Sequence, residues 1–186
     1  MTYEQILRYL RISGSPDQKT KEMIHQGMEM AKASSQPKRM FQVYPCSMQA
    51  DGVQIGHVLF EGEKIQKWLK DYDLCAILAV TLGAPCDQLL RSFSISNPAF
   101  AVVLQAVFAD YTEDFCDLTE KEIQAANPGY SLGKRFSPGY PGLPLTYQKQ
   151  IFTMLDITKR IGIYLTDFYL MIPSKSVSAF VGLKKG

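Results

Sequence analysis

The sequence predicts an α+β fold: a single domain over residues 1–186, with a mixed or mainly antiparallel sheet flanked by helices. Three observations carry that expectation. Leu74–Leu82 is a nine-residue apolar run of the kind that fills a buried central strand. From Asn97-Pro98 onward, Phe100, Val103, Leu104, Val107, Phe108, Tyr111, Phe115 and Leu118 recur at steps of three and four, which specifies a long amphipathic helix. Helical and strand-like segments interleave elsewhere, with no internal repeat and no low-complexity tract.

The elements follow in order. Glu4–Ile12 reads as a short helix with Ile6, Tyr9 and Leu10 on one face. Ser15-Pro16 reads as an N-cap and first-turn proline, opening a helix that runs to about Ala33. Its stripe of Met23, Ile24, Met28 and Ala31 suits core packing, with an adaptable methionine-rich binding surface as the alternative. Residues 40–46 and 53–60 are strand-like, and Asp51-Gly52 marks a turn between them. Gly62–Lys70 reads as a short helix turning Ile65, Trp68 and Leu69 inward. Gly83-Ala-Pro85 stops the apolar run and opens another helix, while Asn127-Pro-Gly129 closes the long one. A helix over Leu145–Leu155 carries Tyr147, Ile151 and Met154, followed by strand-like segments at Ile161–Leu170 and Val177–Leu183.

Composition narrows the function. Hydrophobic residues make up 46% and charged residues 20% of the 186, and the net charge is +2. That is ordinary for a globular domain with a substantial core. The basic pairs at Lys38-Arg39 and Lys184-Lys185 are too small for a nucleic-acid stripe or a lipid anchor, so neither nucleic acid nor membrane is an expected partner. The opening Met1-Thr-Tyr-Glu-Gln lacks a signal-peptide pattern, and no apolar run approaches the ~18 residues of a membrane span, so a cytoplasmic location is expected. Cys46, Cys75, Cys86 and Cys116 show no metal-ligand spacing and read as packed free thiols. His25 and His57 read as structural or solvated.

The heptapeptide Arg135-Phe-Ser-Pro-Gly-Tyr-Pro141 is the most informative segment. Pro138-Gly139 suits the central positions of a type II turn, whose second residue needs a positive φ. Arg135 offers a planar, permanently charged fork for a carboxylate, and Tyr140 offers an aromatic face. A small zwitterion with an extra positive charge matches these groups. The competing reading is a connecting loop in which Arg135 pairs with a neighbouring acid.

Arg135-Phe-Ser-Pro-Gly-Tyr140, then Ile161-Gly-Ile-Tyr-Leu-Thr-Asp167, then Ile172-Pro-Ser-Lys-Ser-Val-Ser178 resembles the activation domain of cobalamin-dependent methionine synthase. That family carries Arg-x-x-x-Gly-Tyr, Ile-Gly-x-x-Leu-Thr-acid and Pro-x-x-Ser-Val-Ser in this order. Ile6-Leu-Arg-Tyr-Leu10 and Phe41-Gln-Val-Tyr-Pro45 also look like the openings of its short, free-standing members. The likeness covers most of the chain and is sharpest from Gly129 to Leu183. It implies an activation-domain-like fold and S-adenosylmethionine as the bound cofactor. It also implies a cobalamin carried by a partner, either a methionine synthase or another corrinoid protein, and a flavodoxin-type electron donor. Methyl transfer from S-adenosylmethionine after one-electron reduction would restore methylcobalamin.

Carried onto this chain, the resemblance gives Arg135 the methionine carboxylate. Ser137, Pro138 and Gly139 provide backbone contacts, Tyr140 lies near the ribose or sulfonium end, and Glu113 is the acid near the site. A solvated helix face is the alternative for Glu113, and simple exposure is the alternative for Lys175 in the Ser-Val-Ser loop. The chain departs from the family where acids are usual, at Gly129 and Ala109, and lacks the ligand-contacting aspartate segment and the terminal paired tyrosines. A docking module that no longer binds S-adenosylmethionine is therefore a second expectation. A methyltransferase of another kind ranks lower, because no glycine-rich strand-to-helix loop is present.

Overall fold

The computed structural model describes all residues, 1–186. In chain order the helices are α1 (Tyr3–Tyr9), α2 (Gln18–Ser34), α3 (Glu63–Leu69), α4 (Ala84–Ser96), α5 (Pro98–Ala126), α6 (Tyr147–Leu155) and α7 (Ile157–Ile161). The strands are β1 (Lys38–Met48), β2 (Gly52–Ile55), β3 (Val58–Glu61), β4 (Leu74–Thr81), β5 (Tyr130–Leu132), β6 (Tyr164–Leu165), β7 (Met171–Ile172) and β8 (Ser176–Lys185).

The apolar run is the centre of the molecule. As β4 it pairs with β1 on one side (Phe41 opposite Leu78) and with β8 on the other (Leu78 opposite Ala179). The full sheet has six strands in the order β3-β2-β1-β4-β8-β5, and every neighbouring pair is antiparallel. Strands β6 and β7 form a separate two-stranded ribbon.

Burial on both faces explains why β4 is apolar throughout rather than alternating. Cys75, Ile77 and Ala79 join Phe180 in a core shared with α3, α6 and α7. Their neighbours Ala76, Leu78 and Val80 join Ala179, Val181 and Leu183 against Cys116 and Ile123 of α5. The opposite side of α5 buries Phe100, Val103, Leu104, Val107 and Phe108 against Ile6 of α1, Ile24 and Ala31 of α2 and Leu90 of α4. The long helix is thus sandwiched between the sheet and an outer helical layer. No helix is long and apolar enough to cross a membrane.

Local chemistry sets several boundaries as the sequence predicts. Asn97 caps α5 by accepting the Phe100 amide at 3.2 Å, with Pro98 as the first helical residue. The structure also corrects three expectations. The N-cap of α2 is Asp17, which accepts the Thr20 amide at 2.7 Å, so Ser15-Pro16 lies ahead of the helix. The expected strand over 53–60 is the hairpin β2–β3, because Gly56 turns the chain at φ +57°. Ile161–Leu170 is mostly not a strand. Gly162 (φ +74°) ends α7 in the left-handed conformation, and the Thr166–Leu170 turn leaves only Tyr164–Leu165 for β6. Helix α7 and the short β5 add two elements that the apolar pattern does not single out.

Candidate functional site

The site forms where pairing along one edge of β8 stops. Strand β5 covers the far end of β8, and Phe136 extends that pairing by one bridge. The Phe136 amide donates to the Phe180 carbonyl at 3.1 Å and the Phe180 amide donates back at 2.8 Å. No strand lies alongside β8 beyond this point on that edge. The period-two alternation of a strand turns the Ser178 backbone groups toward the same open edge as those of Phe180. The stitch also fixes the heptapeptide. Phe136 buries its ring against Trp68 and Phe180, with centroids 4.4 and 5.4 Å away, and the flanking Arg135 and Ser137 line the cleft.

The expected turn is present. The Tyr140 amide donates to the Ser137 carbonyl at 3.3 Å across Pro138 and Gly139, and Gly139 has φ +95°. The Gly139 amide is consumed by the Leu143 carbonyl at 2.9 Å, which shapes the loop rather than offering a contact. Ser137 and Pro138 border the cleft, and Tyr140 stands at its rim, 52% exposed.

Arg135 is the electrostatic centre, its side chain only 17% exposed. One Nη1 contacts both Asp117 Oδ1, at 3.3 Å, and Glu120 Oε1, while Nη2 donates to Glu113 Oε2 at 2.5 Å. All three acids lie on α5 at positions i, i+4 and i+7, hence on one helical face. Burial disfavours the guanidinium charge. The surrounding Cys116, Glu120, Glu113 and Asp117 outweigh it and hold the pKa above the ordinary arginine value. Burial raises the Glu120 carboxyl, with Arg135 opposing. Burial likewise pushes the Cys116 thiol up to about 12.

Two adjoining depressions meet at this point. The first, about 250 Å³, is lined by Glu113, Arg135, Ser137 and Tyr140 with Gln148 and the Ser176–Ser178 strand. The second, about 280 Å³, shares Glu113, Ser176 and Val177 with it and adds Tyr9, Thr112 and Lys175. Burial first, then the Glu113 and Asp110 charges, raises the Tyr9 phenol pKa. Ser178 Oγ donates to Gln148 Oε1 at 2.7 Å, tying β8 to α6. Asp87 holds the loop ahead of β8, accepting the Ser174 amide at 2.8 Å and its hydroxyl at 2.6 Å. Lys175 donates to Gln105 Oε1 at 2.6 Å, and burial lowers its pKa, so it is not simply exposed.

The structure therefore brings together five of the six expected site residues, Glu113, Arg135, Ser137, Pro138 and Tyr140, and gives Gly139 the turn itself. Glu113 sits on the cleft rather than on a free helix face. Sequence reasoning missed Asp117 and Glu120, whose spacing from Glu113 was the available signal, together with Gln148 and Tyr9 as cleft-lining residues. Arg135 pairs with acids, as the connecting-loop alternative expects, and it also lines the cleft. No group of three or more His, Cys, Asp or Glu side chains has the arrangement of a metal site, and the four cysteines are free thiols.

A six-stranded antiparallel sheet backed by a long helix, with an Arg-to-Tyr loop stitched to its edge above an acid-rimmed cleft, defines the class of domain. Residues 65–185 match the family described as "Vitamin B12 dependent methionine synthase, activation domain". This chain belongs to that family. It is also similar to the MetH reactivation domain solved bound to AdoHcy, with a TM-score of 0.72 and 18% sequence identity over 95% of this chain and 71% of that one. At that identity the likeness establishes the shared α+β fold.

Proposed function

We propose that this chain is a stand-alone activation subunit for a cobalamin-dependent methionine synthase. It holds S-adenosylmethionine for the reductive remethylation of an oxidised cobalamin carried by its partner, with a flavodoxin-type protein as electron source. The observation that carries this reading is the Arg135–Tyr140 loop, closed by a type II turn and opening onto a cleft that also presents Glu113 and the free edge of β8.

The residues suit such a ligand. The two depressions are contiguous and together reach the lower part of the range, roughly 300–1,000 Å³, that small-molecule sites occupy. Two of the five guanidinium N–H groups of Arg135, one on Nε and one on Nη2, have no partner in the chain and suit a carboxylate. Glu113 is placed for the ammonium. Tyr140 offers its ring to a sulfonium, a contact worth about 0.5–1 kcal/mol at an exposed position. The Ser137 amide and the Ser178 backbone remain for the ribose and adenine.

The bound ligand supplies an activated methyl group, and the partner's cobalamin supplies the cobalt that receives it. The protein needs no nucleophile or general base of its own. Its contribution is to hold one reactant at a fixed place and angle, which removes much of the entropic barrier to a reaction between two bound groups.

A second reading follows from one observation: Arg135 already has three acidic partners. If these never yield, the domain is a docking module for a corrinoid protein that has lost S-adenosylmethionine. Isothermal titration of the wild type and of Arg135→Ala separates the two. Saturable binding that weakens at least tenfold in the variant, about 1.4 kcal/mol, supports the ligand-holding reading. No heat and no thermal shift at millimolar ligand leaves the docking module.

A further inference from the structure

A separate hollow of about 440 Å³ shares no residue with either depression of the cleft. Lys64, Lys67 and Trp68 of α3 line it, with Asp71 and Tyr72 just after that helix and Lys134 from the segment between β5 and Arg135. The three α3 residues stand at i, i+3 and i+4, hence on one helical face. Lys64, Lys134 and Asp71 form no ion pair. Lys67 has only Glu63 at 3.9 Å, a contact 75% and 89% exposed on its two sides and worth little. Three lysines against one aspartate leave the hollow with two uncompensated positive charges.

Its wall is aromatic as well as basic. Trp68 packs one side on Phe136, with centroids 4.4 Å apart. The Tyr72 side chain rests on Gly133 and Gly182, where a Cβ would come within 2.2 and 2.5 Å of it. Only glycine at those two places lets Tyr72 lie so close to the sheet. Both aromatic residues are half-buried, and both also border the hollow.

We propose that this hollow is a binding site for a free nucleoside phosphate, with the phosphate on the lysines and the base against Trp68 or Tyr72. The inference is independent of the S-adenosylmethionine reading. A phosphate monoester carries a charge of about −1.5 to −2 at neutral pH, which matches the two charges left over. Lysine serves phosphate as a point charge, and every base has a face that an aromatic side chain can stack on. The hollow also falls within the range of roughly 300–1,000 Å³ that small-molecule sites occupy. An acidic polypeptide would satisfy the lysines but brings no ring for the aromatic wall.

Trp68 is the only tryptophan of the chain, so indole emission reports on this hollow alone. Adenosine monophosphate should quench that emission saturably. Lys64→Gln and Lys134→Gln should each weaken it about two- to fivefold, the scale of a solvated charge contact, with thermal midpoints unchanged. Adenosine and inorganic phosphate each offer half of the ligand and should bind at least about fivefold more weakly. Saturating the protein with S-adenosylmethionine beforehand should leave the affinity unchanged, because the cleft lies elsewhere. A quench abolished by S-adenosylmethionine would put the nucleotide in the cleft and overturn the proposal. So would lysine variants that bind as the wild type does, or no quench at all. Tighter binding of a hexaglutamate peptide or of a single-stranded oligonucleotide would overturn it in favour of a polymeric partner.

Discussion

Replacing Arg135 by alanine removes the cation shared by Glu113, Asp117 and Glu120 and leaves three carboxylates along one face of α5. Their exposure decides the cost. Asp117 and Glu113 are 64% and 45% exposed, so water compensates most of their loss, whereas Glu120 is 25% exposed and Arg135 itself 17%. Breaking a fully buried pair costs about 3–5 kcal/mol, and this partly buried cluster should lose about 2–3 kcal/mol at neutral pH. For a chain of this length that is a fall in thermal midpoint of about 5–10 °C. The penalty must also depend on pH. Burial already raises the Glu120 carboxyl, with Arg135 as the opposing influence, so its removal raises the carboxyl further. A carboxyl raised on folding contributes stability that is present below its unfolded pKa and is lost as pH rises through its folded pKa. The wild-type-to-variant difference, followed by urea denaturation from pH 4 to 8, should therefore be small near pH 4 and full by pH 7. An equal penalty at both ends, or a larger one in acid, would refute the view that charge in this cluster drives the loss.

Other substitutions probe the frame around the site. Gly182→Ala places a methyl 2.5 Å from the Tyr72 ring, which also lies over Gly133, so the ring must be displaced. A loss of about 2–3 kcal/mol is expected in chemical denaturation, and a change in thermal midpoint under about 2 °C would contradict it. Asn97→Ala removes the α5 cap and should cost about 1 kcal/mol, with Asn97→Asp restoring most of it. Asp87→Ala frees Ser174 from α4 and should weaken S-adenosylmethionine binding several-fold in titration. Its bonds are exposed, so the thermal midpoint should fall by no more than about 3 °C.

What the sequence made legible was what neighbouring residues decide together. The apolar run became β4, the three-and-four periodicity became α5, and Pro138-Gly139 made the turn its φ requirements demand. The two misread strands share a cause, a backbone reversal hidden inside an apolar stretch. Gly56 splits one expected strand, and Gly162 with the Thr166–Leu170 turn dissolves another. The site was legible only by half. Arg135, Ser137 and Tyr140 lie in one loop, but the acids that hold Arg135 lie 15 to 22 residues earlier. Which face of α5 turns toward that loop is set by Cys116 and Ile123 packing on β4 and β8, a relation that no local window contains.

If the domain holds S-adenosylmethionine as proposed, the surplus of charge matters more than any single contact. Three acids against one arginine leave two formal negative charges in excess on that face of α5. One carboxylate balances the charge of an arginine, so each additional one adds repulsion even where it accepts a further N–H. The surplus is useful to a cationic ligand. S-adenosylmethionine brings an ammonium and a sulfonium against one carboxylate, so binding moves the cluster toward neutrality. The demethylated product lacks the sulfonium charge and offsets less of it. A site biased in this way favours the methyl donor over the spent product through the same acids that hold Arg135 in place. Under that proposal the bias needs no catalytic group, consistent with a domain that would contribute position rather than chemistry.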